Sequence, residues 1–100
     1  MAAPGPTITG AGGKPLGYQQ ITATTLAAST GLTVPTGASV AVVINGVAST
    51  AVRWRDDGTA PTGSIGMYMP PSVYMNFSGN LSSIKFILAT GLPFLDVSYY

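Results

Sequence analysis

Turn-forming residues interrupt this chain so often that a long helix has no room to form. Its 13 glycines and 8 prolines sit as punctuation, with Gly31, Pro35 and Gly37 close together, then Asn45-Gly46, Asp56-Asp57-Gly58, Pro70-Pro71, Ser78-Gly79-Asn80 and Gly91-Leu92-Pro93. Glycine accepts positive φ without penalty, aspartate and asparagine fold onto nearby amides, and proline can neither extend a helix nor donate to a central ladder. Between the breaks, residues alternate apolar with polar or are β-branched, the period-two pattern of strands. The expectation is an all-β fold. We read a single β-sandwich, jelly-roll-like, of about seven or eight short antiparallel strands with an extended N-terminal arm.

Residues 1–16, rich in Gly and Pro, read as that arm, and 17–100 as the sandwich domain. The segment from Leu16 to Ser29 predicts a strand with Ile21, Ala23 and Thr25 on one face and then a loop, since Gly31, Pro35 and Gly37 follow too closely for a helix. Leu32 to Gly37 reads as a short edge piece and turn. Ala38 to Asn45 predicts a central strand, apolar on both faces. Asn45-Gly46 is a hairpin signal, so 47–55 is expected to be the antiparallel partner of that strand. A second hairpin is expected to follow at once, from Val52-Arg53-Trp54-Arg55 through the Asp56-Asp57-Gly58 turn and a structured loop into Ser64 to Met69. Val73 to Phe77, Leu81 to Thr90 and Phe94 to Tyr100 supply the remaining strands. Ile84, Phe86 and Leu88 share one face, as do Leu95, Val97 and Tyr99.

Charge is scarce. Only 7% of residues are ionic, against about 25% in an ordinary soluble domain, and four of the seven fall at Arg53, Arg55, Asp56 and Asp57. Obligate interfaces are depleted in charge, so much of this surface is expected to be covered by other subunits. Four cations and a net charge of +1 cannot form the basic stripe that a nucleic-acid partner demands. No apolar run approaches the roughly 18 residues of a membrane helix. The N-terminal residues lack the basic and apolar regions of a secretory signal, so synthesis in a cytoplasm is expected, in keeping with the absence of cysteine.

With no His, no Cys and only Asp56, Asp57 and Asp96 as carboxylates, a serine triad lacks its base, a zinc site its ligands and a glycosidase a well-spaced acid pair. The chain reads as a non-enzyme with no cofactor and no metal. Asp56-Asp57-Gly58-Thr59 suits either a weak calcium loop or, more simply, an Asx-type turn. Gly10 to Lys14 lacks the spacing of a phosphate loop. Arg53 and Arg55 admit two readings, a solvated strand face paired with the neighbouring aspartates or a bidentate anchor for a partner carboxylate. Trp54, Tyr68, Tyr74, Phe77, Tyr99 and Tyr100 fit core and interface packing better than a sugar platform. One of Tyr99 and Tyr100 must face outward. Ile8, Lys14, Leu16, Arg53, Arg55, Asp56, Asp57 and Tyr100 are the candidate interface residues.

Four stretches, VRWRDDGTAPT at Val52 to Thr62, Gly66-Met67, LSSIKFI from Leu81 to Ile87 and the closing LDVSYY from Leu95 to Tyr100, make the chain resemble small virion proteins of tailed bacteriophages. The resemblance covers about the C-terminal half and implies a structural component of the virion with no catalytic residues. Within that class the expectation is a capsid decoration, or cement, protein that associates as a trimer and binds the major capsid protein of the assembled shell. A neck or tail accessory protein is the alternative, and a carbohydrate-binding module is the reading from a different class.

Overall fold

The computed structural model describes residues 15–100, and alternation along the chain accounts for most of its elements. Eight strands run β1 Gly17–Ile21, β2 Thr30–Gly31, β3 Val40–Asn45, β4 Ala51–Arg55, β5 Met67–Met69, β6 Tyr74–Ser78, β7 Lys85–Thr90 and β8 Leu95–Tyr99. They form two four-stranded sheets, β1-β8-β3-β6 and β2-β7-β4-β5, with every pairing antiparallel. This is a small β-sandwich. Its core lies between the sheets, where Val43, Phe77, Leu95, Val97 and Tyr99 of the first meet Val52, Met69 and Phe86 of the second and Ile84 just before β7. Trp54 meets Phe77 edge to face at 4.8 Å and Phe77 meets Phe86 in the same way at 5.9 Å, geometries that the ring quadrupoles favour.

The predicted face assignments hold for the last two strands. Leu95, Val97 and Tyr99 are buried, as are Ile84 and Phe86, and Leu88 packs against the same core. β3 is an inner strand between β8 and β6. The second predicted hairpin is also present, with Val52 opposite Met69, Arg53 opposite Tyr68 and Trp54 opposite Met67.

The first predicted hairpin is not. β3 and β4 lie in different sheets, β3 pairing with β6 and β8, and β4 with β5 and β7. Asn45 is fully buried rather than sitting at a turn tip. Its Nδ2 donates to Thr50 Oγ1 at 2.9 Å and its Oδ1 accepts from the Val47 amide at 3.1 Å, while Thr50 Oγ1 donates to the Val47 carbonyl at 2.7 Å. Those bonds satisfy the buried polar groups while the chain crosses from one sheet to the other. Of the strands consecutive in sequence, only β4 and β5 pair with each other; the other pairings join β1 to β8, β2 to β7, β3 to β6 and β8, and β4 to β7.

Three further expectations are corrected. The first strand ends at Ile21, and Ala23–Leu26 forms one helical turn that buries Ala23 and Leu26, because closing the end of the sandwich gains more there than extending a strand. The edge piece expected over Leu32 to Gly37 lies earlier, at Thr30–Gly31. Leu81–Ser83 forms a 3-10 turn before β7. Among the described residues no helix is long and apolar enough to cross a membrane.

Candidate functional site

β4 carries the charge cluster to one end of the sandwich. Its alternation buries Val52 and directs Trp54 to the core, leaving Arg53 and Arg55 on the outer face. Arg53 does not pair with the aspartates beside it. Its Nε donates to the Gly63 carbonyl at 3.1 Å and its Nη1 to the Gly66 carbonyl at 3.0 Å, and the guanidinium lies 5.4 Å from the centre of the Tyr68 ring. Five donors in a rigid plane suit this double task, and the effect is to staple the loop 56–66 onto its own strand. Gly66 makes the close approach possible. At φ +140, a Cβ there would stand 3.0 Å from Pro61 Cβ and 3.2 Å from the Trp54 carbonyl.

Arg55 takes the role expected of a solvated pair. Its Nε and Nη2 donate to the two carboxylate oxygens of Asp57, the first at 3.2 Å. Asp57 Oδ1 also accepts from the Thr59 amide at 3.1 Å, and Gly58 sits at φ +82, so the Asp56-Asp57-Gly58 segment is the Asx-type turn. The Arg55 bond first, and then the Thr59 amide, holds the Asp57 carboxyl below its ordinary value of 3.8. Reciprocally, Asp57 raises Arg55. Arg55, Asp56, Asp57, Ile65, Gly66 and Met67 line an open groove of about 380 Å³, charged on one wall and apolar on the other.

Leu16 and Tyr100 lie at the same end of the molecule but on the other sheet. The Leu16 amide donates to the Tyr99 carbonyl at 2.7 Å, and Tyr100 exchanges backbone bonds with Val40, its amide donating at 2.8 Å and its carbonyl accepting at 3.0 Å. Register places Arg55 opposite Lys85 and Gly17 opposite Tyr99, and the Gly58 amide donates to the Ser83 carbonyl, so the β4–β5 and β6–β7 loops share this end with the last residue. The structure thus gathers Arg53, Arg55, Asp56 and Asp57 into one cluster and sets Leu16 and Tyr100 apart from it. Ile8 and Lys14 lie outside the described residues. Of the terminal pair, Tyr99 is buried and Tyr100 is half-buried.

Sequence reasoning did not single out Ile65 and Met67, the apolar wall of the groove and both more than half exposed. The available signal was the absence of any charge between Gly58 and Ile84. It also missed the side-chain ties that bind β1 to β8. Tyr18 donates to Asp96 at 2.6 Å, which raises the Tyr18 hydroxyl above its usual range. Tyr99 donates to Gln19 Oε1 at 2.6 Å, and burial pushes its hydroxyl up to about 12.

Among the described residues no three His, Cys, Asp or Glu side chains come together as a metal site. What the arrangement offers is a preformed surface with one exposed ion pair, Asp56 and an apolar wall, suited to docking. Comparison of the chain with protein-family models, with curated proteins and with solved structures returns no match.

Proposed function

We propose that this chain is a non-enzymatic structural protein of a bacteriophage virion, a capsid decoration protein that binds the assembled shell of major capsid subunits as a homo-oligomer. The observation that carries the reading is the number of large apolar side chains left on the surface of so weakly charged a chain. Leu16, Tyr18, Ile65, Met67, Tyr68, Val73, Tyr74, Leu92 and Phe94 are all exposed, while the whole sequence holds seven ionic residues. Apolar surface of that extent, without charge to keep copies apart, is the mark of a protein that works covered.

The pairing of β1 with β8, β2 with β7, β3 with β6 and β4 with β5 supports a jelly-roll winding, an architecture common among capsid proteins. The chain enters β1 beside Tyr99, at the end that carries the groove. In this reading the arm expected at residues 1–16 acts across subunit boundaries. A protein that binds only the assembled shell stabilises it by mass action and needs no chemistry.

Imaging of intact particles tests the reading directly, with density for this chain expected at every symmetry-equivalent site of the head surface. Density confined to the neck or tail, or none on the particle, overturns it. Removal of residues 1–16 is expected to lower shell occupancy while the β domain stays folded.

A further inference from the structure

The two flanks of the sandwich are finished differently. On one flank, β1 is overlaid by the chain that follows β2. Gln19 Nε2 donates to Thr33 Oγ1 at 3.3 Å and Gln19 Oε1 accepts from the Thr33 amide at 3.2 Å. Pro35 lies 3.1 Å from where a Gly17 Cβ would stand. On the other flank β5 and β6, joined only by residues 70–73, each pair with a single neighbour, β4 and β3 respectively.

An uncovered edge strand presents a row of unpaired amides and carbonyls, which proteins ordinarily guard with charge, proline or a bulge. β6 is Tyr-Met-Asn-Phe-Ser, five residues with none of these. No Asp, Glu, Lys or Arg occurs anywhere from Gly58 to Ile84. The same flank carries Ile65, Met67, Tyr68, Val73 and Tyr74, exposed by 57%, 59%, 55%, 45% and 47%.

We propose that the free edge of β6 is a docking site for a second copy of this chain, the two β6 strands pairing antiparallel about a two-fold axis at Asn76. Three arguments choose a copy as the occupant. An edge strand is complementary to itself when turned about a two-fold axis, and this one holds no charge that would meet its own image. The segment 33–35, packed against Gln19 and Gly17, obstructs part of the β1 edge that the head-to-tail alternative, in which β6 of one copy extends the sheet against β1 of the next, would use. The area meets the lower bound for a stable contact. Five half-exposed large side chains offer on the order of 500 Å² per copy, which with its image gives the roughly 1,000 Å² in total that a biological interface needs.

In this register Tyr74 of each copy faces Ser78 of the other on the outer face of the sheet, and Met75 and Phe77 keep their places toward the core. The contact makes a dimer, in place of the trimer expected from sequence. It draws on exposed side chains that also support the proposed role on a phage particle, but its test needs no particle.

The full chain contains no cysteine, so a single engineered thiol reports the contact. Residues opposite each other in an antiparallel pair have Cα atoms about 4.5–5.5 Å apart, within disulfide reach. Mild oxidation of Asn76→Cys is expected to give a covalent dimer, and that of Tyr18→Cys, on the overlaid flank, to give none. Sedimentation of the unmodified chain is expected to show a dimer whose dissociation constant rises about fivefold or more in Asn76→Lys, where two cations oppose each other across the axis. Thermal unfolding below the dissociation constant, where association adds no stability, is expected to be unchanged in both Asn76 variants and separates loss of contact from loss of fold. A monomer at high concentration, equal cross-linking at Tyr18, or a dimer in which Asn76→Cys does not cross-link overturns the proposal.

Discussion

Arg53 and Arg55 differ by two positions and by almost everything else. Arg53 is spent on the carbonyls of Gly63 and Gly66 and on the Tyr68 ring, whereas Arg55 meets Asp57 in solvent. Arg53→Ala is expected to cost about 1–2 kcal/mol, because two charge-assisted bonds to carbonyls are lost. Arg55→Ala is expected to leave the unfolding midpoint nearly unchanged and to remove most of its salt dependence. Urea titrations of both variants at low and high salt check the contrast. Tyr99 sets the alkaline behaviour. Its hydroxyl, held near 12 by burial, keeps a proton that the unfolded chain releases near the ordinary 10.0. Stability contributed by this group is complete below pH 10 and falls as pH rises toward 12, since the folded state binds more protons in that window. Tyr99→Phe is expected to cost about 1 kcal/mol at neutral pH and to flatten the alkaline fall, as unfolding midpoints on either side of pH 10 will show. The Asp57 carboxyl acts with the opposite sign. Its lowered value contributes stability above the ordinary 3.8, which is lost as pH falls through the folded value.

Among the elements, the loop 56–66 and the crossover 46–50 bear most on the site. Gly66→Ala puts a side chain at φ +140, against Pro61, Arg53 and the Trp54 carbonyl. It is expected to cost more than the ~1 kcal/mol of an ordinary strained residue and to open the groove wall at Ile65 and Met67. A limited-proteolysis assay would register this as faster cleavage within 58–66 than in the parent. The crossover explains the failed hairpin. Asn45-Gly46 has turn chemistry, but the same side chain gains more as a buried hub for Thr50 and Val47 than at an exposed tip, because an unsatisfied buried polar group costs about 1–3 kcal/mol. Local residue preference identified a break in the chain there and was silent on the direction taken after it.

Across the whole molecule, pairings between distant strands dominate. Only the β4–β5 ladder is local, while β1 reaches across to β8 and β3 to both β6 and β8. Loop closure must precede most of the stabilising contacts, so folding is expected in milliseconds to seconds rather than microseconds, with a single slow exponential in stopped-flow refolding by Trp54 fluorescence. Phe86→Ala, at the fully buried end of the edge-to-face aromatic chain Trp54–Phe77–Phe86, is expected to cost about 3–5 kcal/mol and to leave too little for a domain of this size to stay folded at physiological temperature.

The positions of most strands and turns were legible in the sequence, since side-chain alternation, β-branching and glycine or proline breaks act over a few residues. So were the inward faces of β7 and β8 and the turn at Asp57. The partner of each strand was decided only by tertiary structure, because antiparallel ladders look alike from within a strand and the choice rests on which apolar faces close over one another. Tertiary structure also turned Arg53 onto its own loop and set the segment 33–35 against β1. In leaving the β5 and β6 edges uncovered, it gave a uniformly charge-poor chain one flank unlike the other, since packing a finite number of strands into two sheets leaves edges whose cover depends on where the connecting segments run.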